Sequence, residues 1–111
     1  MSGSGRPILP LAALDLAARL LEQEGFVVTA RNERGDSLYL RPVSCSWHLR
    51  VSNHARTANQ RSRRADILTS LVIDGPRSRE QVERMVSDAV RNFRASLARK
   101  ADQASGVGSR K

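Results

Sequence analysis

At Gly25 the hydrophobic period of this chain changes from that of a helix to that of a strand, and the change limits which folds are open to it. Before it, Leu14, Ala17, Ala18 and Leu21 recur at helical spacing with Leu16 and Leu20 beside them, and Pro10 stands where a first turn tolerates proline. Residues 10–24 are therefore expected to form an amphipathic helix, which Gly25 stops. After it, Phe26, Val28 and Ala30 alternate with Val27, Thr29 and Arg31, a strand pattern.

Two more alternations follow. Residues 32–36 form a polar turn containing Gly35, after which Leu38 and Leu40 interleave with Ser37, Tyr39 and Arg41 until Pro42 ends the strand. A short connection at residues 43–45 leads to Trp47, Leu49 and Val51, opposed by Ser46, His48, Arg50 and Ser52. These three strands are expected to make an antiparallel meander with one apolar face. Residues 55–64 have no periodicity and read as a long mobile loop, and the apolar, β-branched run at residues 67–73 reads as a fourth strand. Ser78 with Gln81 three residues later is a capping-box signal. The helix that it opens carries Val82, Met85, Val86, Ala89, Val90, Phe93 and Leu97 on one stripe and is expected to run to about Arg99.

The resulting fold class is α+β, a two-layer domain of order α-β-β-β-β-α, in which an antiparallel sheet is covered on one face by two helices. Residues 1–9 are expected to be a flexible N-terminus, 10–100 a single domain and 101–111, rich in Gly, Ser and charge, a disordered tail. The single cysteine, Cys45, forms no intrachain disulfide and, with two histidines, no convincing zinc site. No hydrophobic stretch is long enough to span a bilayer, so no membrane role is expected and a cytoplasmic location is the default.

Nineteen basic residues against eleven acidic ones give 111 residues a net charge of +8, which favours a polyanionic partner. The excess is not evenly spread. Between Ser37 and Arg64 there are six arginines, two histidines and no carboxylate. A GC-rich coding sequence also favours Arg over Lys, but it does not remove carboxylates from one segment.

If the helices cover the side bearing Phe26, Val28, Leu38, Leu40, Trp47, Leu49 and Val51, the opposite side displays Thr29, Arg31, Ser37, Tyr39, Arg41, His48, Arg50 and Ser52. On such a face Tyr39 is placed to stack on a base, Arg41 and Arg50 to hold phosphates, and His48 to do either. The loop arginines Arg56, Arg61, Arg63 and Arg64 form a second candidate contact with a phosphate backbone. His54, where the third strand gives way to the loop, could be a general base, a phosphate ligand or a local cap, but catalysis by His usually needs a second positioned group. There is no phosphate-binding glycine loop, paired carboxylate motif, metal-ligand cluster or nucleophile elbow, so neither an enzyme nor a cofactor is expected.

Three stretches carry a likeness: Glu24-Gly25-Phe26 at the end of the first helix, Gly35-Asp36-Ser37-Leu38-Tyr39-Leu40-Arg41, and Arg50-Val51-Ser52-Asn53-His54. With them the region of residues 14–54 resembles the HicA-like toxins, small proteins with a double-stranded-RNA-binding-domain type of fold. In that family the residue two after the glycine is the catalytic histidine of an RNA-cleaving toxin. Ser37 stands there in this chain, so the resemblance implies the fold without the catalytic group. The Tyr-Leu-Arg strand and the Arg-Val-Ser-Asn-His strand end are also similar to small proteins of prophages and plasmids. That second likeness implies either a nucleic-acid-binding accessory or an anti-defence inhibitor, of anti-CRISPR type, that docks on an acidic protein surface. The leading expectation is a non-enzymatic module binding DNA or RNA, with protein docking as the alternative and a toxin-type ribonuclease centred on His54 as the third. A homodimer through the last helix is compatible with its apolar stripe.

Overall fold

The computed structural model describes residues 7–54 and 65–109, with side chains of the last helix described as far as Asp102. The element order is α1 (Pro10–Gln23), β1 (Phe26–Arg31), β2 (Ser37–Pro42), β3 (His48–Ser52), β4 (Ile67–Val72) and α2 (Arg79–Ser109), an α+β arrangement of α-β-β-β-β-α. The four strands lie side by side in sequence order, and the two helices cover one face. α1 lies over β1 and β3, α2 over β4, and the helices also pack on each other.

Local chemistry explains the boundaries. Pro10 at the start of α1 lacks the N–H that would otherwise need a cap, and Gly25 takes a φ of 95° as the chain leaves the helix. α2 opens with the expected capping box: Gln81 N–H donates to Ser78 Oγ at 3.1 Å, and Ser78 N–H donates back to Gln81 Oε1 at 2.8 Å. Asn32 organises the β1–β2 turn. Its Oδ1 accepts from the backbone N–H of Asp36 at 2.9 Å and of Ser37 at 3.0 Å, and its amide donates to the Asp36 carboxylate. Gly35, at φ 75°, supplies the left-handed residue that closes this turn.

The core is a single cluster between the layers. Leu14, Ala17 and Leu21 of α1 meet Leu38 and Leu40 of β2, Leu49 and Val51 of β3, and Val82, Val86 and Phe93 of α2. The rings of Phe26 and Phe93 meet edge to face at a centroid distance of 5.2 Å, which joins the start of the sheet to the last helix. These are the side chains that the sequence pattern assigns to the covered face; Val28 and Trp47 are at its margin.

Four features depart from the sequence expectations. First, the sheet is mixed: β1-β2-β3 is the antiparallel meander, but β4 joins β3 in parallel. Secondly, β1 bulges at Thr29, so that Val28 pairs with Leu40 but Ala30 pairs with Tyr39 and Arg31 with Leu38. One extra residue inverts the alternation from there on. A second irregularity in β4 sets Ile67 opposite His48 while Thr69 pairs with Leu49, and Leu68 packs against the core.

Thirdly, α2 continues to Ser109 instead of stopping near Arg99. Extending an existing helix needs one hydrogen bond per residue fixed, and Ala98, Arg99, Lys100, Ala101, Gln103 and Ala104 are all good helix formers. Lys100 Nζ also stands 4.9 Å from the centre of the Trp47 ring, tying this part of the helix to the sheet. Fourthly, the N-terminal segment is not loose up to residue 9: Ile8 exchanges two backbone hydrogen bonds with Arg77, at 2.6 and 3.1 Å. The loop at residues 55–64, residues 1–6 and the last two of the expected tail lie outside the described residues.

Phe93→Ala removes the aromatic contact and most of one fully buried side chain. It is expected to lower the unfolding free energy by about 3–5 kcal/mol, read from urea denaturation monitored by circular dichroism.

Candidate nucleic-acid interface

The outward face of the sheet is not the open platform that alternation predicts. Across its centre Tyr39, Arg50 and Ser70 form one row, and Ser37, Ser52 and Val72 the next. Arg50 is 1% exposed, Ser37 2% and Ser52 0%, so these three are buried although Ser70 beside Arg50 is exposed, and Arg50 is no surface phosphate contact in this conformation. Tyr39 is half-buried and already engaged. Thr29 and Arg31 are exposed, though the β1 bulge puts Arg31 opposite Leu38 and not in line with Thr29.

Arg41, the other sheet arginine, turns back on its own chain. Its Nη1 donates to the carbonyls of Val43 at 3.0 Å and Cys45 at 3.1 Å, with Pro42 at 3.4 Å, and so clamps the β2–β3 connection. Cys45 completes the turn by accepting from Trp47 N–H at 3.4 Å and donating its thiol to the Trp47 carbonyl at 3.8 Å. The Pro42 carbonyl also accepts from Cys45 N–H at 3.1 Å, so the Arg41 side chain serves mainly the Val43 and Cys45 carbonyls.

His48 is held from both sides. Nδ1 lies 2.9 Å from Asp66 Oδ2, and Nε2 lies 3.0 Å from Thr29 Oγ1. With the ring proton on Nδ1, facing the carboxylate, Nε2 accepts the Thr29 hydroxyl. With both nitrogens protonated, Thr29 accepts instead and turns its own proton to the Tyr39 carbonyl, 3.2 Å away. Nε2 has a hydrogen-bond partner in either state, while Nδ1 stands at ion-pair distance from Asp66 without a directed hydrogen bond. Thr29 and Asp66 were not singled out by the sequence, because only the β1 bulge and the parallel β4 bring them to His48; an Asp just ahead of an apolar run was the one sign available.

His54 closes the end of β3. Its Nδ1 is 2.9 Å from Asn53 Oδ1 and 3.2 Å from Ser52 Oγ, and its backbone N–H donates to Ser52 Oγ at 3.3 Å. Ser52 Oγ in turn donates to the Asp36 carbonyl at 2.9 Å and pairs with Ser37 Oγ at 2.8 Å. Ser37, at the position where the toxin resemblance places a catalytic histidine, is thus a buried link between β2 and β3. Among the described residues no group of three His, Cys, Asp or Glu side chains is placed to hold a metal ion.

The charge distribution is sharper than the sequence segment implied. The described residues contain all eleven carboxylates and twelve of the nineteen basic residues, a net of +1. The other seven basic residues are Arg6, Arg56, Arg61, Arg63, Arg64, Arg110 and Lys111. Within the folded body, Arg77, Arg79, Arg91 and Arg94 are already paired with Asp74, Glu83, Asp88 and Glu24. The four arginines of residues 56–64 have no carboxylate among them and lie outside the described part. Because β4 is parallel to β3, their segment joins the far end of β3 to the near end of β4.

No protein-family model, curated protein or solved structure matches this chain.

Arg41→Ala removes the donor from the exposed Val43 and half-buried Cys45 carbonyls and is expected to destabilise the fold by about 0.5–1.5 kcal/mol. Urea unfolding of the variant beside the wild type measures the difference.

Proposed function

We propose that the protein is a non-enzymatic nucleic-acid-binding module whose main phosphate contacts are Arg56, Arg61, Arg63 and Arg64. The observation that carries this reading is the segregation of charge: a body of net +1 is joined, between β3 and β4, to ten residues with four arginines and no acid. Arginine is suited to this because its planar fork holds phosphate through two donors at once and stays charged at any physiological pH. The sheet arginines contribute little on the surface, since Arg41 is spent on its turn and Arg50 is buried. Tyr39, His48 and His54 support the module from behind, as parts of the hydrogen-bonded face next to which the basic segment begins and ends.

Catalysis is not part of this proposal. His48 Nε2 is bonded to Thr29 with Nδ1 facing Asp66, and His54 serves the end of β3. The same charged segment would also suit an acidic protein surface, as in an inhibitor from a mobile element, and the binding assay separates the two. Among the described residues no helix is long and apolar enough to cross a membrane.

Affinity for single-stranded and duplex DNA and RNA, measured by anisotropy from low to high salt, is expected to fall steeply with salt. Replacing Arg56, Arg61, Arg63 and Arg64 together by Ala is expected to reduce the slope of log affinity against log salt by about 3, at about 0.7–0.9 for each phosphate no longer neutralised. A slope that is flat in the wild type, or unchanged in the variant, defeats the proposal and favours the protein-docking reading.

A further inference from the structure

The centre of the outward face holds a buried cation without a counter-ion. Arg50 makes one hydrogen bond, from Nη2 to the His54 carbonyl at 3.0 Å. Its Nε and Nη1 are buried and have no partner, and no carboxylate of the described residues forms an ion pair with it. Folds rarely leave buried N–H groups unpaired, and a buried charge without compensation is the costlier case. On the same face Tyr39 and Ser70 lie directly across on the neighbouring strands, and Ser52, whose hydroxyl is given to the Asp36 carbonyl, and His48 lie two residues away along β3. Asp66, at the start of β4, faces His48 instead. A buried guanidinium with two unused N–H groups and no carboxylate paired to it has the chemistry of an anion seat.

We infer that Arg50 seats the terminal phosphate of a nucleic-acid strand, a phosphate monoester, and that the protein thereby distinguishes phosphorylated strand ends. The inference rests on the nucleic-acid reading above and narrows it. Burial is what selects the end of a strand. A diester inside a chain carries a sugar on each side and one negative charge, and its continuing chain cannot run through a position where the guanidinium is 1% exposed. A terminal monoester projects alone, displaces the atoms now packed on the guanidinium, and brings three free oxygens and a charge of about −1.5 to −2 near neutral pH. Inorganic phosphate has the same chemistry, so the experiment must distinguish it from a strand end.

The test uses the full chain with 15N-labelled arginine, the Arg50 Nε–H signal being assigned by its loss in Arg50→Lys. Inorganic phosphate, a 5′-phosphorylated single-stranded oligonucleotide, its 3′-phosphorylated form and the same oligonucleotide with hydroxyl ends are titrated separately. The Arg50 signal is expected to shift with phosphate and with at least one phosphorylated oligonucleotide, which binds about tenfold more tightly than the hydroxyl form. Arg50→Gln should abolish that difference while keeping the salt-dependent affinity for the hydroxyl form. Equal shifts and affinities for all the oligonucleotides overturn the inference, as does a signal that moves with phosphate alone or with nothing. If salt-dependent binding through the loop arginines persists in those cases, the broader proposal stands and only the end-reading role of Arg50 is lost. Should Arg50→Gln fail to fold, the comparison of oligonucleotides on the wild-type protein decides the matter alone.

Discussion

The parallel pairing of β4 with β3 is the constraint on which the rest of this structure depends. An antiparallel fourth strand would have needed only a short turn and would have set the end of its run, not its beginning, beside His48. The parallel register instead brings the start of β4 to the start of β3, where the Asp66 carbonyl accepts from His48 N–H at 2.9 Å and its carboxylate reaches the imidazole. It also places Ser70 next to Arg50 and Leu71 next to Val51, beneath α2. Since a parallel link must bring the chain back along the strand, it requires a connection too long for a tight turn, and that connection carries the basic segment.

The two faces of the sheet are buried by different means. On the helix side, burial is apolar and packing between Leu, Val and Phe stabilises it directly. On the other side it is polar, and each buried group needs a partner. Ser37, Ser52, Asn53, His54 and the Asp36 carbonyl satisfy one another in a chain of hydrogen bonds, while Asn32 fixes the turn that delivers Asp36. Arg50 stands out against this because two of its own buried nitrogens have no partner, the only other such atom among the described residues being His48 Nδ1. In a protein with a poorly paired interior such a group would have little meaning.

Much of this was legible in the sequence. Helical spacing from Leu14 to Leu21, alternation through Phe26, Val28, Leu38, Leu40, Leu49 and Val51, the apolar run at residues 67–73 and the Ser78–Gln81 cap located all six elements and the covered face, because each is a local pattern. The direction of β4 was not legible, since an apolar run of six residues reads the same either way. Nor were the irregularities at Thr29 and Leu68, each a single inserted residue that leaves the composition of its strand unchanged. The most consequential misreading concerned the arginines. Alternation correctly put Arg41 and Arg50 off the apolar face, but it equates that face with solvent. Whether a polar side chain is spent on its own turn or enclosed among other polar groups depends on tertiary neighbours that periodicity does not encode.

The bridge between Ile8 and Arg77 has a consequence for the lifetime of the fold. It joins the stretch entering α1 to the stretch entering α2 and so closes a loop of about seventy residues, nearly everything the sheet contains. Closing a loop of that length is favourable only when the strands between are already ordered, so these two hydrogen bonds are expected to form after the rate-limiting step of folding. Interactions made that late leave the folding rate almost untouched and act instead by slowing escape from the native state. The short N-terminal arm, which adds little to the core, thus works as a clasp on the finished molecule.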